Sequence, residues 1–255
     1  MTNKFATYGD VNRFLDPDLA LGQANLSSRY GRIWVAGQRG KPCINADMAS
    51  GTEATREVAD PDFEVLGTNG TSALSTFNAE GGILFTTAGA DNDQMILVPH
   101  LDTNQTCWTN VTWGTDRSVQ WECLIDSGAS VAAKMIWAGL KLTNTSTIAT
   151  DNDQVFFKFD SSVSSGAWVC VDSVANTDTS TVTSTVVAVN TMYHLKINID
   201  AQRIARFYLN GVLVRTTGVL TSTDLIPYIG VQANGAAAAK TLIIYGQAIS
   251  REVGA

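Results

Sequence analysis

Asn210-Gly211 stands between two runs of strand-forming residues, Ala205-Arg206-Phe207-Tyr208-Leu209 and Val212-Leu213-Val214-Arg215-Thr216. Both central residues of a tight type I′ turn need positive φ, which Asn tolerates and Gly adopts freely, so the spacing predicts a two-residue β-hairpin. The sequence around it is built the same way. In Tyr193–Asp200, Leu195, Ile197 and Ile199 alternate with His194, Lys196 and Asn198; Val119, Trp121, Cys123 and Ile125 alternate with Gln120, Glu122 and Leu124. This period of two marks strands with one face in a core. Further strands are predicted at Ile83–Phe85, Met95–Val98, Cys107–Trp113, Lys134–Leu142, Val155–Phe159, Ala167–Val174, Thr181–Val189, Ile226–Val231 and Thr241–Ile249. About a dozen short strands at this spacing predict an all-β, two-sheet sandwich.

A chain of 255 residues holds one large all-β domain and an appendage. The appendage is expected at residues 1–62, where no period of two is sustained. Asp10–Leu21 is expected to form a short helix there. Its apolar residues Phe14, Leu15, Leu19, Tyr30, Ile33 and Trp34 are candidate anchors for an arm that lies either on its own domain or on a partner. Residues 63–255 are expected to form the sandwich.

Charged residues are only 16% of the chain and the formal net charge is −7, which argues against the basic field that nucleic-acid binding requires. No apolar run approaches the ~20 residues of a membrane helix, and residues 1–22 carry no signal-peptide pattern, so neither membrane insertion nor export is expected. Four cysteines without a Cys-x-x-Cys pair disfavour zinc. Cys123 and Cys170 are expected to be small buried groups, with a Cys107–Cys123 cross-strand disulfide as an alternative for the former.

The strings Ala79-Glu80-Gly81-Gly82-Ile83, Thr86 to Gln94, Asp151 to Phe159, Phe207 to Gly211, and Ile229 to Gly235 continuing through Lys240-Thr241-Leu242 together resemble tailed-bacteriophage virion structural proteins with a concanavalin A-like, laminin G-like jelly roll. The resemblance covers roughly Phe63 to Arg251 and leaves out the arm. It implies a two-sheet jelly roll and a place in a virus particle.

Candidate chemistry is sparse. Glycosidases need two carboxyls roughly 5–9 Å apart. Enzymes of this fold carry a Glu-x-Asp-x-x-Glu-type strand motif that is absent here, and Glu122 and Asp126 would stand about 13 Å apart on an extended strand. Two Asp-Asn-Asp-Gln strings bring Asp91 near Asp93 and Asp151 near Asp153, which suits either calcium or Asx-turns that start the following strands, the second being preferred. His100 and His194 have no partner at metal or triad spacing. Trp121 and Trp137 are expected in the core, while Trp108, Trp113 and Trp168 are candidates for an exposed glycan-stacking platform.

These readings lead to two functional expectations. The first is a non-enzymatic capsid decoration or cement protein, assembled in the host cytoplasm onto the capsid surface, whose partners are the major capsid protein and sister copies in a homo-trimer or homo-dimer, with no cofactor. The second is a carbohydrate-binding module on a head or tail fibre. A cellular laminin G-like adhesion domain is disfavoured by the missing export signal and the unpaired cysteines.

Overall fold

The computed structural model of the chain describes residues 30–36 as a strand, together with residues 63–79, 82–99, 113–143, 151–235 and 237–252. Among these, fifteen strands form two antiparallel sheets. In chain order they are β1 (Tyr30–Ala36), β2 (Phe63–Leu66), β3 (Ser75–Phe77), β4 (Ile83–Thr86), β5 (Gln94–Pro99), β6 (Gln120–Asp126), β7 (Lys134–Lys141), β8 (Gln154–Asp160), β9 (Ala167–Val174), β10 (Thr177–Val186), β11 (Met192–Ile199), β12 (Ile204–Leu209), β13 (Val212–Val219), β14 (Ile226–Ala233) and β15 (Thr241–Glu252).

One sheet runs β13-β12-β11-β6-β15-β4-β3, with β1 added beside β15; the other runs β10-β9-β8-β7-β14-β5-β2. Both have the order of a two-sheet jelly roll. The expected hairpin is present: Asn210 and Gly211 have φ of 51° and 82°, and Leu209 faces Val212 in register. The strand foreseen at Thr181–Val189 instead starts four residues earlier. Its turn is Ala175-Asn176, with φ of 49° and 64° and Val174 facing Thr177. Alanine in the left-handed region is not a turn signal that a sequence announces. The expected strand Cys107–Trp113 falls mostly outside the described residues; Trp113 itself precedes an isolated bridge between Gly114 and Asp224.

The core lies between the sheets. From the eight-stranded sheet it takes Phe85, Trp121, Cys123, Leu195, Ile197, Phe207 and Leu242, and from the seven-stranded sheet Leu97, Ile136, Leu140, Phe157, Trp168, Ile229 and Val231. Removing a large aliphatic or aromatic side chain from water is worth about 1.5–3 kcal/mol each, so the period-two pattern alone specifies which faces meet. Phe157 makes edge contacts with Phe207 at 5.1 Å and Trp168 at 6.4 Å between ring centroids, joining the sheets at the centre. Cys123 and Cys170 are buried free thiols. Cys123 points into this core, as expected of a small buried group, and Cys107 lies outside the described residues; burial pushes the Cys170 thiol up to about 12, with nearby Arg215 opposing and Asp172 reinforcing.

Of the segment expected to form an arm, the structure describes β1, which pairs antiparallel with the second half of β15, Tyr30 facing Glu252 and Trp34 facing Ile249. The expected helix at residues 10–21 lies outside the described residues.

The side of the sandwich formed by β10 and β13 is closed from within by Arg215. Its guanidinium donates to the Cys170 carbonyl at 2.6 Å and the Thr179 carbonyl at 3.0 Å, pairs with the Asp172 carboxylate, and lies 5.9 Å from the Phe207 ring centroid. One buried side chain thus links β13 to β9 and β10. Removing one partner of a buried ion pair strands the other charge, which typically costs about 3–5 kcal/mol. We expect Arg215→Met to lose about that much in urea unfolding and the double change Arg215→Met, Asp172→Leu to recover part of it; a single variant within about 1 kcal/mol of wild type would contradict the clamp.

Candidate functional site

Period two leaves a second set of side chains on the outer face of the seven-stranded sheet. Ile96, Val98, Trp137, Phe156, Val169, Val171 and Tyr228 form an apolar belt there, and all are buried. Tyr228 and Phe156 flank Gly139 in register, their rings 6.1 Å apart. A Cβ on Gly139 would come within 2.6 Å of the Phe156 Cα, so the belt requires glycine at that position.

Polar groups bound the belt at both ends. At one end the Gln94 amide donates to the Gln232 carbonyl oxygen at 2.6 Å, and the Gln232 amide donates to Asn92 at 3.1 Å. At the other, Lys141 lies 3.8 Å from the Asp151 carboxylate and 5.5 Å from the Tyr228 ring centroid. Burial lowers the Lys141 pKa while Asp151 opposes the shift; burial raises that of the Tyr228 hydroxyl, reinforced by Asp151 and Asp178.

The four acids of the repeated string are engaged with protein donors. Asp93 is buried and accepts from the Asn69 side-chain amide at 2.7 Å and from the Ala90 N–H at 2.5 Å, bonds that hold its pKa below the usual carboxylate range. Asp91 accepts from Gly235 N–H at 2.6 Å, Asp153 from Ala175 N–H at 3.2 Å, and Asp151 from the Thr143 N–H at 2.9 Å and hydroxyl at 2.8 Å. The preferred expectation, Asx-turns opening the following strands, is corrected: Asp91, Asp93 and Asp153 tie their loops to other loops, Asp93 also accepts from the backbone of its own loop, and Asp151 closes the β7–β8 connection onto Thr143. Among the described residues no three of His, Cys, Asp and Glu converge as a metal site.

The proposed aromatic platform is not formed by Trp113 or Trp168, which are 1% and 0% exposed. Trp168 faces inward on β9 against Phe157, Phe159 and Tyr193, and Trp113 packs in the same inter-sheet core. Trp108, Phe14, Leu15, Leu19 and His100 lie outside the described residues. Tyr30, Ile33 and Trp34 lie in β1. His194 does have a charge partner: its Nε2 is 3.1 Å from the Glu122 carboxylate, across strands β11 and β6 on the outer face of the eight-stranded sheet.

A different surface stands out. Among the described residues, large hydrophobic side chains are exposed at Val182 and Val186 on β10, at Val212, Leu213 and Val219 on β13, at Val163 and Val189 in loops, and at Met192 where β11 begins. Val212 is 65% exposed and Val186 59%. From Ser161 to Tyr193 the only charged residues are Asp172 and Asp178, and from Phe207 to Thr223 the only one is Arg215. Arg215 and Asp172 face inward, so Asp178 is the one charge these stretches present outward. A side with one outward charge and large apolar side chains exposed on two neighbouring edge strands marks a contact surface. The run Thr179-Ser180-Thr181-Val182-Thr183-Ser184-Thr185-Val186 carried this signal in its missing charges.

Near the other end of β7, a cation is held by the backbone. The Lys134 ammonium donates to the carbonyls of Ser127 and Thr241 and to that of Ser130 at 3.3 Å. Burial lowers its pKa to about 7; Asp126 opposes this and Lys240 adds to it.

No protein-family model matches the chain, and no curated protein matches it. Among solved structures it is similar to a protein of unknown function from Shewanella oneidensis MR-1, with TM-score 0.56 and 11% identity over 93% of this chain and 95% of that one. It is also similar to alginate lyase A1-II′, with TM-score 0.53 and 14% identity over 75% and 95%. The potassium-bound carbohydrate recognition domain of Emp46p gives 0.51 and 9% over 80% and 94%. At these identities the likeness is one of fold, the concanavalin A-like jelly-roll sandwich.

An amine whose folded pKa lies below its unfolded value binds fewer protons when folded throughout the window between the two, so stability rises with pH there. For Lys134 that window runs from about 7 to 10.5. Denaturant unfolding is therefore expected to show stability rising between about pH 7 and 9.5 more steeply in the wild type than in Lys134→Met; equal slopes would mean that Lys134 titrates normally.

Proposed function

We propose that this chain is a non-enzymatic structural protein of a tailed-bacteriophage virion, a capsid decoration protein that binds the outer shell through residues 1–62 and associates with sister copies. The observation that carries this reading is the side built by β10 and β13, which turns a single charge, Asp178, outward and exposes Val182, Val186, Val212, Leu213 and Val219, a surface suited to assembly. Two further points support it: the sequence resemblance over Phe63 to Arg251, and the engagement of Asp91, Asp93, Asp151 and Asp153 in loop bonds. The jelly roll supplies a stiff body and the leading segment supplies the grip. A protein that binds the closed shell better than a loosened one shifts the equilibrium toward the shell by mass action.

A carbohydrate-binding virion module is the second reading. It is supported by the amide row Asn92–Gln232–Gln94 on the outer face and by the fold shared with a carbohydrate recognition domain. The burial of Trp113 and Trp168 deprives it of two of the three stacking residues on which it was founded. Specific binding on a glycan array, with or without a chelator, would favour it over the first.

Imaging of purified particles is expected to place the sandwich on the outer capsid face. Removing residues 1–29, which stops short of β1, is expected to abolish attachment and to leave the unfolding midpoint of the sandwich unchanged. Full occupancy of particles by the shortened chain would refute attachment through this segment.

A further inference from the structure

β10 ends its sheet: on one side it pairs with β9, and on the other with no described strand. Such an edge offers a row of backbone donors and acceptors to any other strand, and proteins ordinarily blunt it with Lys, Pro or very short strands. The opposite edges of this sandwich follow that rule, since β2 has 4 residues and β3 has 3. β10 has 10 residues, Thr-Asp-Thr-Ser-Thr-Val-Thr-Ser-Thr-Val, with neither Lys nor Pro, and nearly all are exposed. β13, the neighbouring edge in the other sheet, has its single charge, Arg215, turned inward onto β9 and β10.

We infer that β10 pairs with β10 of a second copy of this chain, antiparallel about a two-fold axis at Ser180. The composition of the strand suits this partner. In that register Thr179 faces Thr181 of the other copy, Thr177 faces Thr183, and Asp178 faces Val182, so no like charges are opposed and the β-branched residues meet in cross-strand pairs. The regular ladder of β10 with β9 extends through Val182 before the register shifts, which leaves Thr177–Val182 straight enough to accept a partner. The two-fold also sets the β13 strands of the two copies side by side, covering Val212, Leu213 and Val219.

The size is adequate. A ten-residue strand runs roughly 33 Å, and the side wall of two sheets about 10 Å apart, with its protruding side chains, has an area on the order of 800 Å². That is about the share each partner buries in a standard stable interface. The result is a sheet continuous through both copies, with the two leading segments related by the two-fold. The inference rests on the structural-protein reading for its setting only. A monomer in solution would refute the pairing alone, whereas absence of the chain from particles would refute the virion reading alone.

The test uses the purified full-length chain. Sedimentation between about 1 and 100 µM is expected to give a dimer in the wild type and, for Ser180→Lys, which opposes two cations across the axis, at least ~100-fold weaker association with an unchanged melting temperature. Directly facing residues on antiparallel strands have Cα atoms about 4.5–5.5 Å apart, within disulfide reach. Ser180→Cys is therefore expected to form a covalent dimer on mild oxidation much faster than either the wild type or Thr223→Cys. A wild-type monomer or trimer at about 100 µM, or no preferential cross-link through Ser180→Cys, would overturn the pairing.

Discussion

A guanidinium buried between two sheet edges governs much of this molecule. Arg215 is the one cation of β13, and it points inward to the Asp172 carboxylate and the carbonyls of Cys170 and Thr179. A sandwich is held along its middle by apolar side chains, but its lateral wall has few of them, and here an ion pair and two charge-assisted hydrogen bonds take their place. The same orientation removes from the outer surface the charge that would otherwise guard the edge. The β10–β13 side is thus secured from within, and Asp178 is the one charge its two edge strands turn outward.

The rest of the structure uses its polar groups in a similarly inward way. The carboxylates of Asp91, Asp93, Asp151 and Asp153 fasten loops, the Lys134 ammonium satisfies three carbonyls, and the outer aromatic belt of the seven-stranded sheet is withdrawn from solvent. Groups that sequence inspection nominates for metal or glycan binding are, in the described residues, parts of the scaffold. The fold is shared with an alginate lyase and a carbohydrate recognition domain, which says that the scaffold can carry such sites and nothing about whether this chain does.

How much of this could be read from the sequence depended on which physical signal was local. The Asn210-Gly211 hairpin and the alternation of Tyr193–Asp200 were legible because a turn's dihedral demand and a strand's two faces are written in consecutive residues. The Ala175-Asn176 turn was not, because alanine at φ of 49° is imposed by the strands that flank it. Trp113 and Trp168 were misjudged for a related reason: period two says that a residue belongs to one face or the other, and only the packing of the sheets says which face is inside. The belt around Trp137 adds to the lesson, since Trp137 was expected in the core and is buried, but on the outer face. Side-wall exposure was the least legible of all, because valine reads as interior until strand order places it at an edge.

Whether that edge is a meeting place is decided most directly by hydrogen exchange of the outward amides within Thr177–Val182. Their exchange is expected to slow as protein concentration rises from about 1 to 100 µM, while the amides of β2 and β3 at the opposite edges stay unchanged. Exchange across Thr177–Val182 that is independent of concentration would contradict the account.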